Sequence, residues 1–268
     1  METTGHFLSP TRQAEILPFE TAPRSVVGYA RDYPSGLSTG FHSHPRAQLL
    51  HAVSGLMRVE TRGSSYLVPP TTALFLPTDV PHAVSMDGPV AMRELFLRED
   101  AARRVGDQPK VITVSGLLRE IVIAVCAEPI EWETQGRGYH LAELILDEIA
   151  RSTPLPMRLP LPRDARLLRV VSGLRDRPDD KRNLEQWGEV ANASSRTLAR
   201  LFRVETGLSF RQWRQQTRLT EALSALTMGM QPTRAAAIAG FDSVPAFGLA
   251  FRQFFGMTPG QARRLRDG

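Results

Sequence analysis

The chain has 268 residues, 42 % hydrophobic and 23 % charged, with a formal net charge of +5, a length that suits two ordinary domains, each with its own core. Its one cysteine, Cys126, lies in the apolar run Ile121–Ala127 and excludes an internal disulfide framework. Met1–Pro10 has no basic segment leading into an apolar run, and no uninterrupted apolar stretch approaches the ~20 residues that span a bilayer, so the expected setting is the cytoplasm, with no membrane partner.

From Ser25 to about Leu97 the sequence breaks into short alternating or continuous apolar runs, among them Gln48–Val53, Leu56–Val59 and Ala73–Leu76, separated by Gly, Pro and Asp. Many short strands in a sandwich or barrel give this texture. Within it stand Gly36-x5-His42-x-His44-x3-Gln48-x6-Gly55 and, further on, Pro77-x-Asp79-x2-His82. His42 and His44 are two apart, so they project from one face of one strand, the first requirement for a shared metal.

This pair of segments resembles the two cupin motifs. The resemblance implies a small β-barrel holding a metal on His42, His44 and His82, with a fourth ligand at the position of Gln48. Two departures are visible: Gln48 stands where a Glu is usual, and Asp79 where a Gly is common. A neutral amide is a poorer ligand than a carboxylate, which lowers the expected affinity for a divalent metal (Zn, Ni, Fe or Mn) and speaks against redox turnover. The competing reading is a polar pocket without metal. An uncharged ligand set favours an anionic or chelating effector, with Arg46 and Arg93 as candidate effector contacts; a lone Arg on a strand is also common solvated surface. His6, His51 and His140 show no partnering spacing.

From Ser115 the period changes to that of helices, with Leu117, Leu118, Ile121, Val122 and Val125, then Leu141, Leu144, Ile145 and Ile149 on Gly138–Ser152. The second stripe packs either on its own barrel or against a second chain. Pro154, Pro156, Pro160 and Pro162 then bar helix and sheet interior and predict an extended linker.

Beyond the linker the charge changes. Residues 164–268 carry 17 Arg and Lys against 10 Asp and Glu, and the remainder 16 against 18. A basic module fits a polyanion partner, although a GC-rich coding bias accounts for the arginine excess equally well. The decisive feature is a repeat: Phe202-Arg203-x3-Gly207-Leu208-Ser209-x2-Gln212 returns as Phe251-Arg252-x3-Gly256-Met257-Thr258-x2-Gln261, at an offset of 49 residues. Each copy closes a helix-turn-helix pattern. In the first, Leu184, Trp187 and Val190 line a short helix, Ala191-Asn192 turns, and Ser194 or Ser195 caps a second helix. There Leu198, Leu201 and Phe202 face inward while Arg196, Ala199, Arg200 and Arg203 face out, as a major-groove helix requires. In the second copy, Thr233–Ala239 leads, Gly240 turns, and Phe247 and Phe251 face inward. A central helix over Phe210–Met228 holds the units in register, suited to two major-groove segments ~34 Å apart.

The segment Leu184–Arg264 resembles the DNA-binding domain of the AraC family of transcription regulators, through Ser195-Arg196-Thr197-Leu198-Ala199-Arg200-Leu201-Phe202, Glu205-Thr206-Gly207, Ala239-Gly240-Phe241-Asp242-Ser243, Phe255-Gly256 and Thr258-Pro259. The resemblance implies seven helices, with the DNA face of the first unit built from Ser195, Arg196, Thr197, Ala199, Arg200 and Arg203. The second face, Ser243, Val244, Pro245, Gly248 and Leu249, departs from the usual polar pattern. It offers thymine-methyl contact but few hydrogen bonds, so the expected readout is unequal.

The expected whole is an α+β two-domain chain: a cupin-like sensor barrel over residues 1–110, a helical extension over 111–152 suited to dimerisation, a Pro-rich linker over 153–163, and an all-α double helix-turn-helix domain over 164–268. The function this implies is a ligand-responsive transcription regulator. Its partners are double-stranded promoter DNA, a small-molecule effector, a second copy of the chain and RNA polymerase. No nucleophile motif, phosphate loop or carboxylate pair is found, so no enzymatic activity is expected. The alternatives are a cupin metalloenzyme fused to a DNA anchor, which Gln48 argues against, and a constitutive DNA binder whose barrel only dimerises.

Overall fold

The computed structural model describes residues 10–155 and 157–264; the segment read for a targeting signal, apart from Pro10, lies outside them, as does His6. The described residues form two compact units, one of residues 10–61 and 66–155, the other of residues 62–65 and 157–264.

In the first unit, α1 (Pro10–Thr21) precedes β1 (Val26–Tyr33), β2 (Ala47–Ser54), β3 (Met57–Thr61), β4 (Ser64–Val68), β5 (Thr72–Leu76), β6 (His82–Met86) and β7 (Val90–Leu97). Then come α2 (Glu99–Val105), β8 (Lys110–Thr113), α3 (Gly116–Cys126), α4 (Arg137–Arg151) and β9 (Pro154–Leu155). One sheet runs β1-β7-β2-β5-β8-β9, and in the other β3 lies between β4 and β6. Successive residues of the larger sheet face opposite ways. Leu49, Phe75, Leu95 and Ile112 join Leu118, Val122, Ile145 and Ile149 of α3 and α4 in one core, each such side chain contributing about 1.5–3 kcal/mol by burial. Gln48, Leu50, Glu94 and Phe96 take the other face, where β2 and β7 pair Gln48 with Phe96 and Leu50 with Glu94. β1 passes so close beneath α3 that a Cβ on Gly28 would sit 2.5 Å from Cys126 Cα, which is why this strand position has no side chain.

Two expectations need correction, and one choice left open is decided. The sheet continues past residue 110, because Lys110–Thr113 pairs with β5. The apolar stripe of α4, expected to serve either the barrel or a partner, is buried in its own unit through Ala142, Ile145, Leu146 and Ile149. The proline-rich stretch is not free of structure either. Pro154–Leu155 pairs with β8, and proline is tolerated there because β9 is the outermost strand of its sheet.

The second unit contains β10 (Arg158–Pro160) and seven helices among the described residues: α5 (Ala165–Asp176), α6 (Leu184–Ala191), α7 (Ser195–Thr206), α8 (Phe210–Thr227), α9 (Pro232–Ile238), α10 (Val244–Phe255) and α11 (Pro259–Arg264). Leu167, Val170, Leu174, Trp187, Leu198, Phe202 and Trp213 form the core of its first half. In the second half, Phe247, Phe251 and Phe255 stack along one side of α10, with ring centroids 5.4 and 4.7 Å apart. No helix among the described residues is long and apolar enough to cross a membrane.

Candidate nucleic-acid interface and effector site

The internal repeat of the sequence is a repeat of terminating and capping chemistry. Ser194 and Ser243 are the N-caps of α7 and α10, accepting from the backbone N–H groups of Thr197 and Ala246. Gly207 and Gly256 close the same two helices at φ 73° and 71°, a left-handed conformation that glycine adopts without Cβ strain. Ser209 with Gln212 then forms a capping box that starts α8, and Thr258 with Gln261 makes the matching hydrogen bonds at α11. Ahead of α7, Asn192 takes the turn at φ 52°.

Because caps and glycines coincide at the same offset, the outer faces of α7 and α10 correspond residue by residue. On α7, Arg196, Arg200 and Arg203 are exposed and make no ion pair among the described residues, whereas Ser195 and Ala199 are half-buried. Thr197 is half-buried and its hydroxyl lies 2.9 Å from Ser194 Oγ, which makes it part of the cap. On α10, Val244, Pro245 and Leu249 are exposed and Gly248 is half-buried; the Ser243 hydroxyl is spent on its cap. Arg252, missed in the sequence reading of this face, is exposed one turn beyond Gly248. Its match to Arg203 in the repeat was the signal.

In the β-domain the topology brings the three predicted histidines together. His42 and His82 exchange both backbone hydrogen bonds at 2.8 Å across an antiparallel bridge, and His44 follows two residues on. All three are buried, and one ligand nitrogen from each lies within 4.8 Å of the others. Their Nδ1 atoms are already engaged: His42 with the Gly40 carbonyl at 3.0 Å, His82 with the Val80 carbonyl at 2.9 Å, and His44 with the Glu20 carboxylate at 2.5 Å. Carbonyls and carboxylates only accept, so Nδ1 carries a proton in each ring and Nε2 is the atom turned to the cluster. The buried His82 Nε2 has no hydrogen-bond partner. Three imidazoles oriented through their Nδ1 partners fit a divalent cation with open coordination positions.

Burial, aided by neighbouring His82, lowers the His42 pKa to about 3, and burial lowers that of His82 to about 4. Glu94, unread in the sequence, is buried on β7, where loss of hydration pushes its pKa up to about 7 while His44 and Gln48 pull the other way. The signal for Glu94 was a carboxylate placed between apolar Met92 and Phe96 on one strand face. Gln48 donates its amide N–H to Glu94, so the structure joins three of the four expected metal residues and engages the fourth in a separate pair.

Asp79, standing where a Gly is common, takes φ 57°, a conformation that short polar side chains tolerate. Its N–H donates to the His44 carbonyl at 2.9 Å, fixing the loop beside the cluster. A cavity of about 160 Å³ opens on His42 and His44 beneath Ile16 and Glu20 of α1. The two arginines expected to meet an effector do not reach it. Arg46 is buried and donates to the carbonyls of Glu20 at 2.8 Å, Arg24 at 3.0 Å and Ala22, so the fold has used its fork. Arg93 neighbours Glu94 on β7 and therefore faces the opposite side of the sheet, where it pairs with Asp32 at 3.0 Å.

Comparison with known proteins gives both halves a counterpart. Residues 25–153 match the family described as the AraC-like ligand binding domain, and residues 187–265 the family described as a helix-turn-helix domain. The HTH-type transcriptional regulator NimR of Escherichia coli K12 is 29 % identical over 225 residues, covering 84 % of this chain and 82 % of that protein. The HTH-type transcriptional regulator RipA of Corynebacterium glutamicum is 36 % identical over 119 residues, 44 % of this chain and 34 % of the relative. Among solved structures, ToxT from Vibrio cholerae aligns over 91 % of this chain and 100 % of its own, at 10 % identity and a TM-score of 0.40.

Proposed function

The chain belongs to the AraC family of transcription regulators, with a DNA-binding helix-turn-helix domain and a ligand-binding β-domain, and from that premise we propose that it couples DNA recognition to a small effector gathered at a metal held by His42, His44 and His82. The observation that carries this reading is the convergence of three buried imidazoles whose Nδ1 protons are all tied down, leaving the Nε2 atoms as donors. When bound, the cation (Zn, Ni, Fe or Mn) supplies a Lewis-acidic charge that an anionic or chelating effector neutralises. The chain's own part is to keep His42 and His82 neutral through burial, to orient His44 through Glu20, and to limit the effector by size. A cavity of about 160 Å³ falls below the roughly 300–1,000 Å³ of drug-sized sites.

On the DNA side, Arg196 and Arg200 read base edges from α7. A guanidinium fork suits the guanine edge in the major groove, and each good bidentate contact is worth about 1–3 kcal/mol of discrimination. The partners of this reading are promoter DNA, the effector, a second copy of the chain and RNA polymerase; light scattering on the purified chain tests the second copy.

The metal reading is tested by stripping the full chain with chelator and titrating it calorimetrically with each of Zn(II), Ni(II), Fe(II) and Mn(II). One equivalent per chain is expected for at least one metal, and none for His82→Ala. Binding that survives in His82→Ala, or no binding of any of the four, would falsify it.

A further inference from the structure

Val244, Pro245, Gly248 and Leu249 occupy on α10 the positions that Ser195, Arg196, Ala199 and Arg200 hold on α7, since the caps Ser194 and Ser243 and the left-handed glycines Gly207 and Gly256 keep the same register. This face is apolar and uncovered: Leu249 is 62 % and Val244 43 % exposed. Pro245, in the first turn, has no N–H to donate. A Cβ built on Gly248 would meet no heavy atom within 4 Å, so the helix's own packing does not demand glycine there. The effect is a shallow notch between two apolar side chains, with exposed Arg252 at one end.

In the major groove every base edge is polar except for one group, the 5-methyl of thymine. An apolar recognition face therefore has one kind of partner available among the four bases. We infer that α10 selects its half-site through thymine methyl groups packed against Leu249 and Val244, with Gly248 admitting the base edge closely and Arg252 holding phosphate. The operator is then chemically lopsided, a hydrogen-bonded half under α7 and a methyl-marked half under α10. This rests on the reading of α10 as the second recognition helix.

Removing a methyl from DNA without touching its hydrogen-bonding edge is done by replacing thymine with uracil. The full chain is first used to select a site from a randomised duplex, and a second selection with Arg200→Ala marks the half-site that α7 reads. The remaining half-site is expected to hold thymines, and uracil at each is expected to weaken binding about fourfold, the equivalent of one methyl group buried. Leu249→Ala, an exposed side chain whose truncation opens no cavity, is expected to discriminate thymine from uracil duplexes less than the parent does, and the double variant Val244→Ala with Leu249→Ala to bind them equally. Changing one of those thymines to cytosine should weaken binding, and 5-methylcytosine should restore part of the loss. A uracil duplex bound as tightly as the thymine one, or undiminished discrimination by the Val244→Ala, Leu249→Ala double variant, overturns the inference alone. A selection that enriches no site overturns the reading beneath it.

Discussion

The mouth of the β-domain and the outer face of α7 both present arginines that sequence alone offers as ligand contacts, and the fold uses them in opposite ways. Arg46 is buried and its donors go to the carbonyls of Glu20, Ala22 and Arg24, while burial and nearby Arg98 lower its pKa. Arg200 is exposed, with no ion pair among the described residues. An arginine is a recognition residue only when the fold has left its donors unspent. The contrast can be broken by urea unfolding of the full chain. Arg46→Ala strands the buried carbonyl of Ala22 and the part-buried ones of Glu20 and Arg24, a buried one costing about 1–3 kcal/mol when left unsatisfied, so a loss of about 2–3 kcal/mol is expected. Arg200→Ala should stay within about 0.5 kcal/mol of the parent. Equal losses would erase the distinction.

A second difference between the regions is protonation. The β-domain buries His42, His51 and His82 with pKa values lowered to about 3, 4 and 4, and Glu94 with its pKa raised to about 7. Between roughly pH 4.5 and 6.5 the unfolded chain protonates all three imidazoles, whereas the folded chain holds instead a proton on Glu94. The unfolded state thus binds two more protons, and stability rises with pH by up to about 2–3 kcal/mol per unit in that window. Above it the histidine contribution vanishes, and Glu94 alone makes stability fall slightly towards pH 7. Urea midpoints measured in chelator at pH 5 and 6.5 check the sign. In Glu94→Gln the rise should steepen by about 1.4 kcal/mol per unit; a flat profile would mean that the cluster is hydrated and charged.

The helical domain was the more legible of the two, because its signals are local. Ser-x-x-Gln, the glycines after each recognition helix and the 3.6-residue apolar period each describe a few adjacent residues, and all recur at one offset. The histidines were legible as a pair two residues apart, although the expected shared strand is not formed: His42 sits at an isolated bridge to His82 and His44 in the loop before β2. What stayed hidden depends on distant pairing. Glu94 meets Gln48 only because β7 lies beside β2, and Glu20 reaches His44 from α1, a helix of weak amphipathicity with Pro18 inside it. Sequence offers Arg46 and Arg93 as available because it names a side chain without naming its partners. Strand parity would have separated Arg93 from Glu94, and nothing local would have revealed the carbonyls around Arg46.

On the DNA face the comparison is sharpened by binding rather than unfolding. Arg200→Ala should cost about 1–3 kcal/mol of affinity, concentrated at one base position. Quantitative binding to single-base variants of the selected site reads both quantities. If Leu249→Ala relaxed sequence preference more than Arg200→Ala did, the order of the two units would be reversed.

The smallest expected effect concerns the position that the two units share. Arg203 and Arg252 match in the repeat and stand exposed in the last turn of α7 and α10, although Ser195, Arg196 and Arg200 before the one answer to Val244, Pro245 and Leu249 before the other. A residue common to a polar face and an apolar one suits the feature common to both half-sites, which is the phosphate backbone. Phosphate contacts position a protein without carrying sequence information, and each released counterion contributes about 0.9 to the slope of log affinity against log salt. Arg203→Ala should therefore weaken binding uniformly across site variants and flatten that slope by about one. A cation in the last turn also favours the helix dipole, by about 0.3–1 kcal/mol, so unfolding must be followed in parallel to separate a looser α7 from a lost contact. A changed base preference in Arg203→Ala would move this arginine from the backbone to the bases, and make α7 a reader along its whole outer face.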